Sequence, residues 1–229
     1  WFKITGEKSK SMLIDFKETR GELTSISEVV PYTLRAEQIQ AVKQTKEYFE
    51  THKNPEFLWN AKPRFGKTLS VYDLCKQLKA QNVLIVTNRP AIANSWYSDY
   101  IKFLGESSGY KFVSDTSYLK DKIGVLSRKQ YVESLSIDGL YNCIEFISLQ
   151  DLKGSLYFGG KFYKLEEVSS INWDILVMDE AHEGVDTYKT DIALDHIKRK
   201  YTLHLSGTPF KALSNDKFNS DAIYNWTYA

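Results

Sequence analysis

Cysteine is scarce in this chain: Cys75 and Cys143 are the only two in 229 residues. Two thiols without a repeated spacing exclude a disulfide framework and a Cys/His zinc site. They are expected to be reduced and buried, as in a cytosolic protein. An excess of one charge is missing as well, with 30 basic residues against 29 acidic ones and a balance of +1. Dedicated DNA-binding domains are often strongly basic, so the composition is neutral on a nucleic-acid partner. A groove needs only a local basic lining. No apolar run reaches the roughly 18–20 residues of a membrane span, and no membrane partner is expected. Internal repeats and low-complexity stretches are absent. The opening Trp1-Phe2-Lys3 has neither an initiator Met nor a signal-peptide pattern and reads as excised from something longer.

What is present is an alternation of strands and helices. Hydrophobic residues make up 42% and charged residues 26%, close to a soluble globular average. The length suits one α/β domain or two small ones. Residues 1–30 read as a polar lead-in with one apolar run, Met12–Phe16. That run is either a strand lent to the domain or the tail of an upstream one. From Leu34, Ile39, Val42 and Phe49 recur at near-helical spacing. Glu56–Asn60 reads as a strand entering a loop at Ala61–Gly66, and a helix follows from Lys67. Val83–Val86 is a continuous apolar run, of the kind buried on both faces of a parallel sheet. Pro90 suits a first helical turn, Ile92, Trp96, Tyr100 and Phe103 line one face, and Gly105 suits the stop. Lys111–Val113, Cys143–Ile147, Asp174–Met178 and Tyr201–Leu205 are further strands, with helices expected at Tyr131–Leu135 and Ile192–Lys198. Residues 115–142 are otherwise hard to place, and 152–172 read as a loop or hairpin excursion. This order predicts an α/β fold, a mostly parallel sheet with helices on both faces. The chemically suggestive residues all follow strand C-termini, where such sheets bind ligands.

The first of them is Ala61-Lys62-Pro63-Arg64-Phe65-Gly66-Lys67-Thr68, a phosphate-loop pattern with Ala in place of the first Gly. Backbone N–H groups of such a loop and of the next helix N-terminus point at phosphates. Gly66 lets the backbone pass close to them, Lys67 adds a mobile cation, and the Thr68 hydroxyl is a Mg²⁺ ligand. By chance so relaxed a pattern occurs in roughly 2% of chains this long. Its place between a strand and a helix argues against chance. Arg64 could touch phosphate or remain a solvated loop arginine. The second feature is Asp179-Glu180-Ala181-His182, which closes an apolar strand. A loop ATPase needs a strand-end carboxylate for Mg²⁺, here Asp179, and a base to polarise the attacking water, here Glu180.

These two segments, together with Ser206-Gly207-Thr208-Pro209, resemble the first RecA-like lobe of superfamily 2 helicases and translocases. The resemblance spans about 32–212, with 31–212 as the ATPase lobe and 213–229 as the start of a connection to a second lobe. Leu34-Arg35-Ala36-Glu37-Gln38 is similar to the family's upstream glutamine motif. It implies that Gln38 reads the adenine edge, with Arg35 and Arg64 in the ATP-binding set. Thr87-Asn88-Arg89-Pro90 and Ser148-Leu149-Gln150 match motifs that touch the nucleic-acid backbone, contacts that fix register without reading sequence. Ser206 and Thr208 would couple the acidic box to lobe movement, with His182 in that network. A zinc role for His182 lacks partner ligands.

Within the superfamily, Pro63–Thr68, Glu180–Gly184 and Leu205–Phe210 most resemble motor subunits of type I, type III and fused single-chain restriction enzymes. That implies ATP and Mg²⁺ as cofactors and double-stranded DNA as substrate. Nuclease or methyltransferase domains would then be partners. In such motors a second RecA-like lobe supplies a transition-state arginine worth on the order of 10³–10⁵ in rate. These 229 residues alone are therefore expected to bind ATP–Mg²⁺ and hydrolyse it feebly. The residues leave other readings open: an RNA or repair helicase lobe, a small-molecule kinase, or a non-catalytic nucleotide-binding module.

Overall fold

A strand covered on both sides is apolar through its middle, and β2 (Asn82–Thr87), with Val83–Val86 at its centre, is such a strand. The computed structural model describes residues 32–105, 108–120, 122–138, 142–179, 188–207 and 218–227. In it Val83 and Ile85 pack into one hydrophobic cluster, Leu84 and Val86 into another. Successive strand side chains alternate, so the two clusters lie on opposite faces of one sheet. The other strands are β1 (Glu56–Ala61), β3 (Tyr110–Val113), β4 (Val125–Leu126), β5 (Asn142–Ser148), β6 (Trp173–Asp179), β7 (Arg199–Ser206) and β8 (Ile223–Trp226). All eight run parallel in the order β4-β3-β5-β2-β6-β7-β1-β8.

Helices cover both faces, which is the expected fold class. On one side α1 (Ala36–Thr51), α2 (Lys67–Leu78) and α3 (Ala93–Phe103) supply Ala41, Val42, Val71, Leu74, Trp96 and Tyr100 to the first cluster. On the other, α4 (Arg128–Asp138), α5 (Leu149–Gly154), α6 (Glu166–Ser170) and α7 (Tyr188–Asp195) supply Tyr131, Leu149, Leu152, Val168 and Ala193. Polar edges of the large aromatics are satisfied. Trp59 of β1 donates its indole N–H to Thr45 Oγ1 at 2.7 Å, and Trp173 of β6 donates to the Val168 carbonyl at 3.0 Å. Both cysteines are free and buried, and burial pushes both thiols upward, away from reactive thiolate.

Several elements differ from the expectation. The helix expected at Ile192–Lys198 is α7, which starts earlier and ends at Asp195. Residues 115–142 hold β4 and all of α4, the latter enclosing the helix expected at Tyr131–Leu135. The stretch 152–172 contains the end of α5, a 3₁₀ turn at Leu156–Phe158 and α6. The apolar run Met12–Phe16 lies outside the described residues. Beyond residue 212, the boundary that the motifs imply, β8 pairs with β1 from Leu58↔Ile223 to Ala61↔Trp226. Its Tyr224 belongs to the first cluster, so the sheet continues past the last motif.

The turn after α5 is tightly closed. Leu156 N–H donates to the Phe162 carbonyl at 2.8 Å, and Gly160 lies against the Gly154 backbone. A Cβ on Gly160 would come within 2.3 Å of the Gly154 carbonyl carbon, and a backbone atom cannot swing aside. Gly160→Ala is expected to destabilise the fold by about 1–3 kcal/mol. Thermal unfolding measures this, and an unchanged midpoint would mean that the turn is held loosely.

Candidate nucleotide-binding site

Because every strand is parallel, the C-terminal ends of β1, β2, β5, β6 and β7 open onto one edge of the sheet. Register lines up their last residues. Thr87 lies between Ser148 and Asp179, and Asn60 lies opposite Ser206. A cleft of about 290 Å³ on this edge is lined by residues 62–68, by Ile92, Ser95 and Trp96, and by Asp179.

The loop from β1 to α2 is shaped by two left-handed residues, Arg64 (φ 70°) and Gly66 (φ 85°), the latter at the N-cap of α2. Between them Phe65 turns inward and is fully buried against Trp59, Trp226 and Tyr224. Burial of this ring anchors the loop to the sheet, while Arg64 is exposed. No side chain caps α2, so its first-turn N–H groups are offered to an anion. Lys67 Nζ donates to the Ala61 carbonyl at 2.9 Å, folded back over the loop it belongs to. The Thr68 hydroxyl donates to Asp99 Oδ2.

Arg35 and Gln38 are brought to this loop, but to its backbone. Gln38 is fully buried; its Oε1 accepts from Arg35 N–H at 2.8 Å and its Nε2 donates to the Phe65 carbonyl at 2.8 Å. Arg35 Nη2 donates to the carbonyls of Arg64 and Phe65. Together they hold the loop's carbonyls on the side of α1. Sequence reasoning assigned them to the ligand and missed this support, which a motif does not display.

On the acidic side, the Asp179 side chain is almost wholly buried and its Oδ2 accepts the indole N–H of Trp96 at 2.8 Å. Trp96 was expected only as one residue of an apolar helix face. Ser206 is buried at the end of β7, and Gly207 lies beside Lys67, a Cβ there falling 3.8 Å from Nζ. Glu180, His182 and Thr208 lie outside the described residues. Among the described residues no group of three or more His, Cys, Asp or Glu could hold a metal. The oxygen ligands lining the cleft are instead the Asp179 carboxylate and the hydroxyls of Thr68 and Ser95, beside the loop at 62–68. That sparse oxygen set suits Mg²⁺, which keeps waters and takes substrate phosphates as ligands.

The nucleic-acid candidates divide in two. Thr87 and Ser148 are buried and cap local backbone, accepting from Arg89 N–H at 3.0 Å and Asp151 N–H at 3.0 Å. Arg89 and Gln150 are exposed, and Gln150 Nε2 donates to Asn88 Oδ1 at 3.0 Å, joining the first turn of α5 to the loop after β2.

Residues 31–211 match the family described as type III restriction enzyme, res subunit. A putative type II restriction enzyme and methyltransferase (C-terminus) from Mycoplasma pneumoniae is 24% identical, over 96% of this chain and 34% of its own length. The chain thus spans about a third of the curated relative it matches. Among solved structures, the SWI2/SNF2 ATPase core of Sulfolobus solfataricus in complex with dsDNA superposes with a TM-score of 0.57 at 18% identity. It covers 81% of this chain and 34% of that one. The ATP-dependent type ISP restriction-modification enzyme LlaBIII bound to DNA gives 0.56 at 15% identity, over 78% of this chain and 13% of the other. These structural likenesses show the fold alone, the parallel α/β sheet that this chain shares with the ATPase core and the restriction–modification enzyme. With the family match covering most of its length, the chain belongs to the res-subunit family of type III restriction enzymes.

Proposed function

We propose that this chain is the first ATP-binding lobe of a motor that translocates along double-stranded DNA within a restriction–modification enzyme. The observation that carries the reading is one cleft lined by both the phosphate loop and the buried Asp179. The first-turn N–H groups of α2 and the Lys67 ammonium would receive the β- and γ-phosphates. Thr68 and Asp179 would hold Mg²⁺, which neutralises charge building on the transferred phosphoryl group. Glu180 would polarise the attacking water, and His182, Ser206 and Thr208 would relay the nucleotide state to a second lobe. Gln38 would reach adenine only by exchanging a loop hydrogen bond; its present bonds make it a support for the loop. Arg35 and Arg64 would flank the nucleotide from the same side.

A phosphate path for DNA would run over the exposed Arg89 and Gln150 and the half-buried Asn88, in the loop after β2 and the first turn of α5, with Thr87 and Ser148 fixing their backbones. The relative's printed name, a restriction enzyme and methyltransferase, favours nuclease and methyltransferase domains as partners. Hydrolysis by these 229 residues alone would be weak, since the transition-state arginine comes from the second lobe. The test is ATPase activity of the full-length protein with duplex DNA and with single-stranded RNA. Stimulation by the duplex is the expected result. Equal stimulation by RNA would overturn the DNA assignment.

A further inference from the structure

The two side chains assigned to Mg²⁺ are each held from behind by the same helix. Asp179 Oδ2 takes the indole N–H of Trp96 at 2.8 Å, and the Thr68 hydroxyl donates to Asp99 Oδ2. Trp96 and Asp99 stand three residues apart on α3, a spacing that puts both on one helix face. We propose that they are positioning residues of the metal centre, Trp96 aiming the Asp179 carboxylate and Asp99 aiming the Thr68 hydroxyl. The inference rests on the reading of Thr68 and Asp179 as the Mg²⁺-holding pair.

The chemistry of each bond favours it. An indole N–H only donates, so at Oδ2 it stabilises the ionised carboxylate without competing for a cation. The ring cannot drift. It is fully buried, Tyr72 packs edge-on at 5.6 Å, and the Tyr72 hydroxyl donates to the Trp96 carbonyl at 2.8 Å. A threonine hydroxyl has one proton and two lone pairs. Giving the proton to Asp99 leaves the lone pairs for a cation and raises their basicity. Asp99 keeps a weak tether of its own, with Lys102 Nζ 4.0 Å away. Both bonds have the character of the outer-shell hydrogen bonds that orient metal ligands, whose loss typically costs about 10–100-fold in metal affinity. If the Thr68–Asp99 bond were instead a lock that Mg²⁺ must break, removing Asp99 would tighten metal binding. The two readings have opposite signs.

The test is a magnesium titration of the full chain with a fluorescent N-methylanthraniloyl ATP, excited directly, for wild type, Asp99→Ala and Trp96→Phe. Nucleotide affinity in EDTA is measured beside it. The expected result is a half-saturating Mg²⁺ concentration raised about 10–100-fold in both variants, with EDTA affinity unchanged in Asp99→Ala. Mg²⁺ dependence unchanged or tightened in Asp99→Ala overturns the proposal. Trp96 is a core residue; should Trp96→Phe lose its melting transition, the partly exposed Asp99 decides alone. Wild-type protein that binds no nucleotide with or without Mg²⁺ overturns the nucleotide-site reading itself. Binding with a normal Mg²⁺ response in every variant overturns only the role of Trp96 and Asp99.

Discussion

Gly66→Ala is expected to lower ATP affinity by roughly 30- to 4000-fold. Two costs combine at this position. Its φ is 85°, and an L-residue held in the left-handed region costs about 1–2 kcal/mol. Its new methyl group would lie 2.4 Å from Gln38 Nε2, which donates to the Phe65 carbonyl. Pushing that fully buried amide away breaks a hydrogen bond that nothing replaces, at about 1–3 kcal/mol. The sum is roughly 2–5 kcal/mol, and each 1.4 kcal/mol is tenfold in affinity. If the loop relaxes, the cost appears as lost ATP binding; if it holds, as lost stability. Calorimetric titration and thermal unfolding therefore belong together. Adding Gln38→Ala removes the clash but not the φ strain, so the double variant should recover only part of the loss. ATP affinity within threefold of wild type, with an unchanged melting midpoint, would show that the left-handed turn is dispensable.

The parts of this site that were legible in the sequence are those in which each position has its own chemistry. Gly66, Lys67 and Thr68 would each serve a bound phosphate or its Mg²⁺ in a different way at fixed spacing, so the pattern carries its meaning locally. β2 and β6 were legible for a related reason: strands buried on both faces are apolar throughout, and that shows in a run of four or five letters. The parallel order followed from strands alternating with helices.

What escaped depends on partners far away in the chain. Trp96 has the periodicity of a core residue, and nothing near it signals that its N–H meets a carboxylate 83 positions later. Asp99 looks like a solvent-facing residue of an amphipathic helix, yet its partner is 31 positions earlier. Gln38 fits an adenine-reading motif by resemblance, whereas its amide lies on loop carbonyls 27 and 28 positions on. β8 has four residues and no motif; only the unpaired flank of β1 gives it a place. Thr87 and Ser148 show why a motif residue can be needed without touching a ligand. Their hydroxyls cap the loop from which Arg89 projects and the start of α5, which carries Gln150.

Removal of Arg128 is expected to be among the most damaging single changes to the fold. Glu145 points into the interior from β5 and is fully buried. Arg128 Nε donates to its Oε1 at 2.6 Å, and the same guanidinium meets Asp115 at 2.7 Å and Glu167 at 3.5 Å. Three carboxylates thus share one cation, and Glu145 Oε2 has no hydrogen-bond partner among the described residues. Burial pushes the Glu145 carboxyl up to about 7, although Arg128 beside it pulls the other way. The folded chain therefore keeps the Glu145 proton until about pH 7, while the unfolded chain releases it near 4.5. Between those values rising pH favours unfolding, by roughly 3 kcal/mol in all, and above pH 7 the contribution is flat. Glu145→Gln keeps the shape and an acceptor for Arg128 and should abolish that slope. Arg128→Ala should cost about 3–5 kcal/mol at pH 8, where it strands a buried charge. The loss should be smaller at pH 5, where Glu145 is already neutral. Urea unfolding at the two pH values checks both variants and their combination, in which Glu145→Gln should relieve part of the Arg128→Ala loss. A loss that is the same at pH 5 and pH 8 would mean that Arg128 acts there by filling space and not by charge.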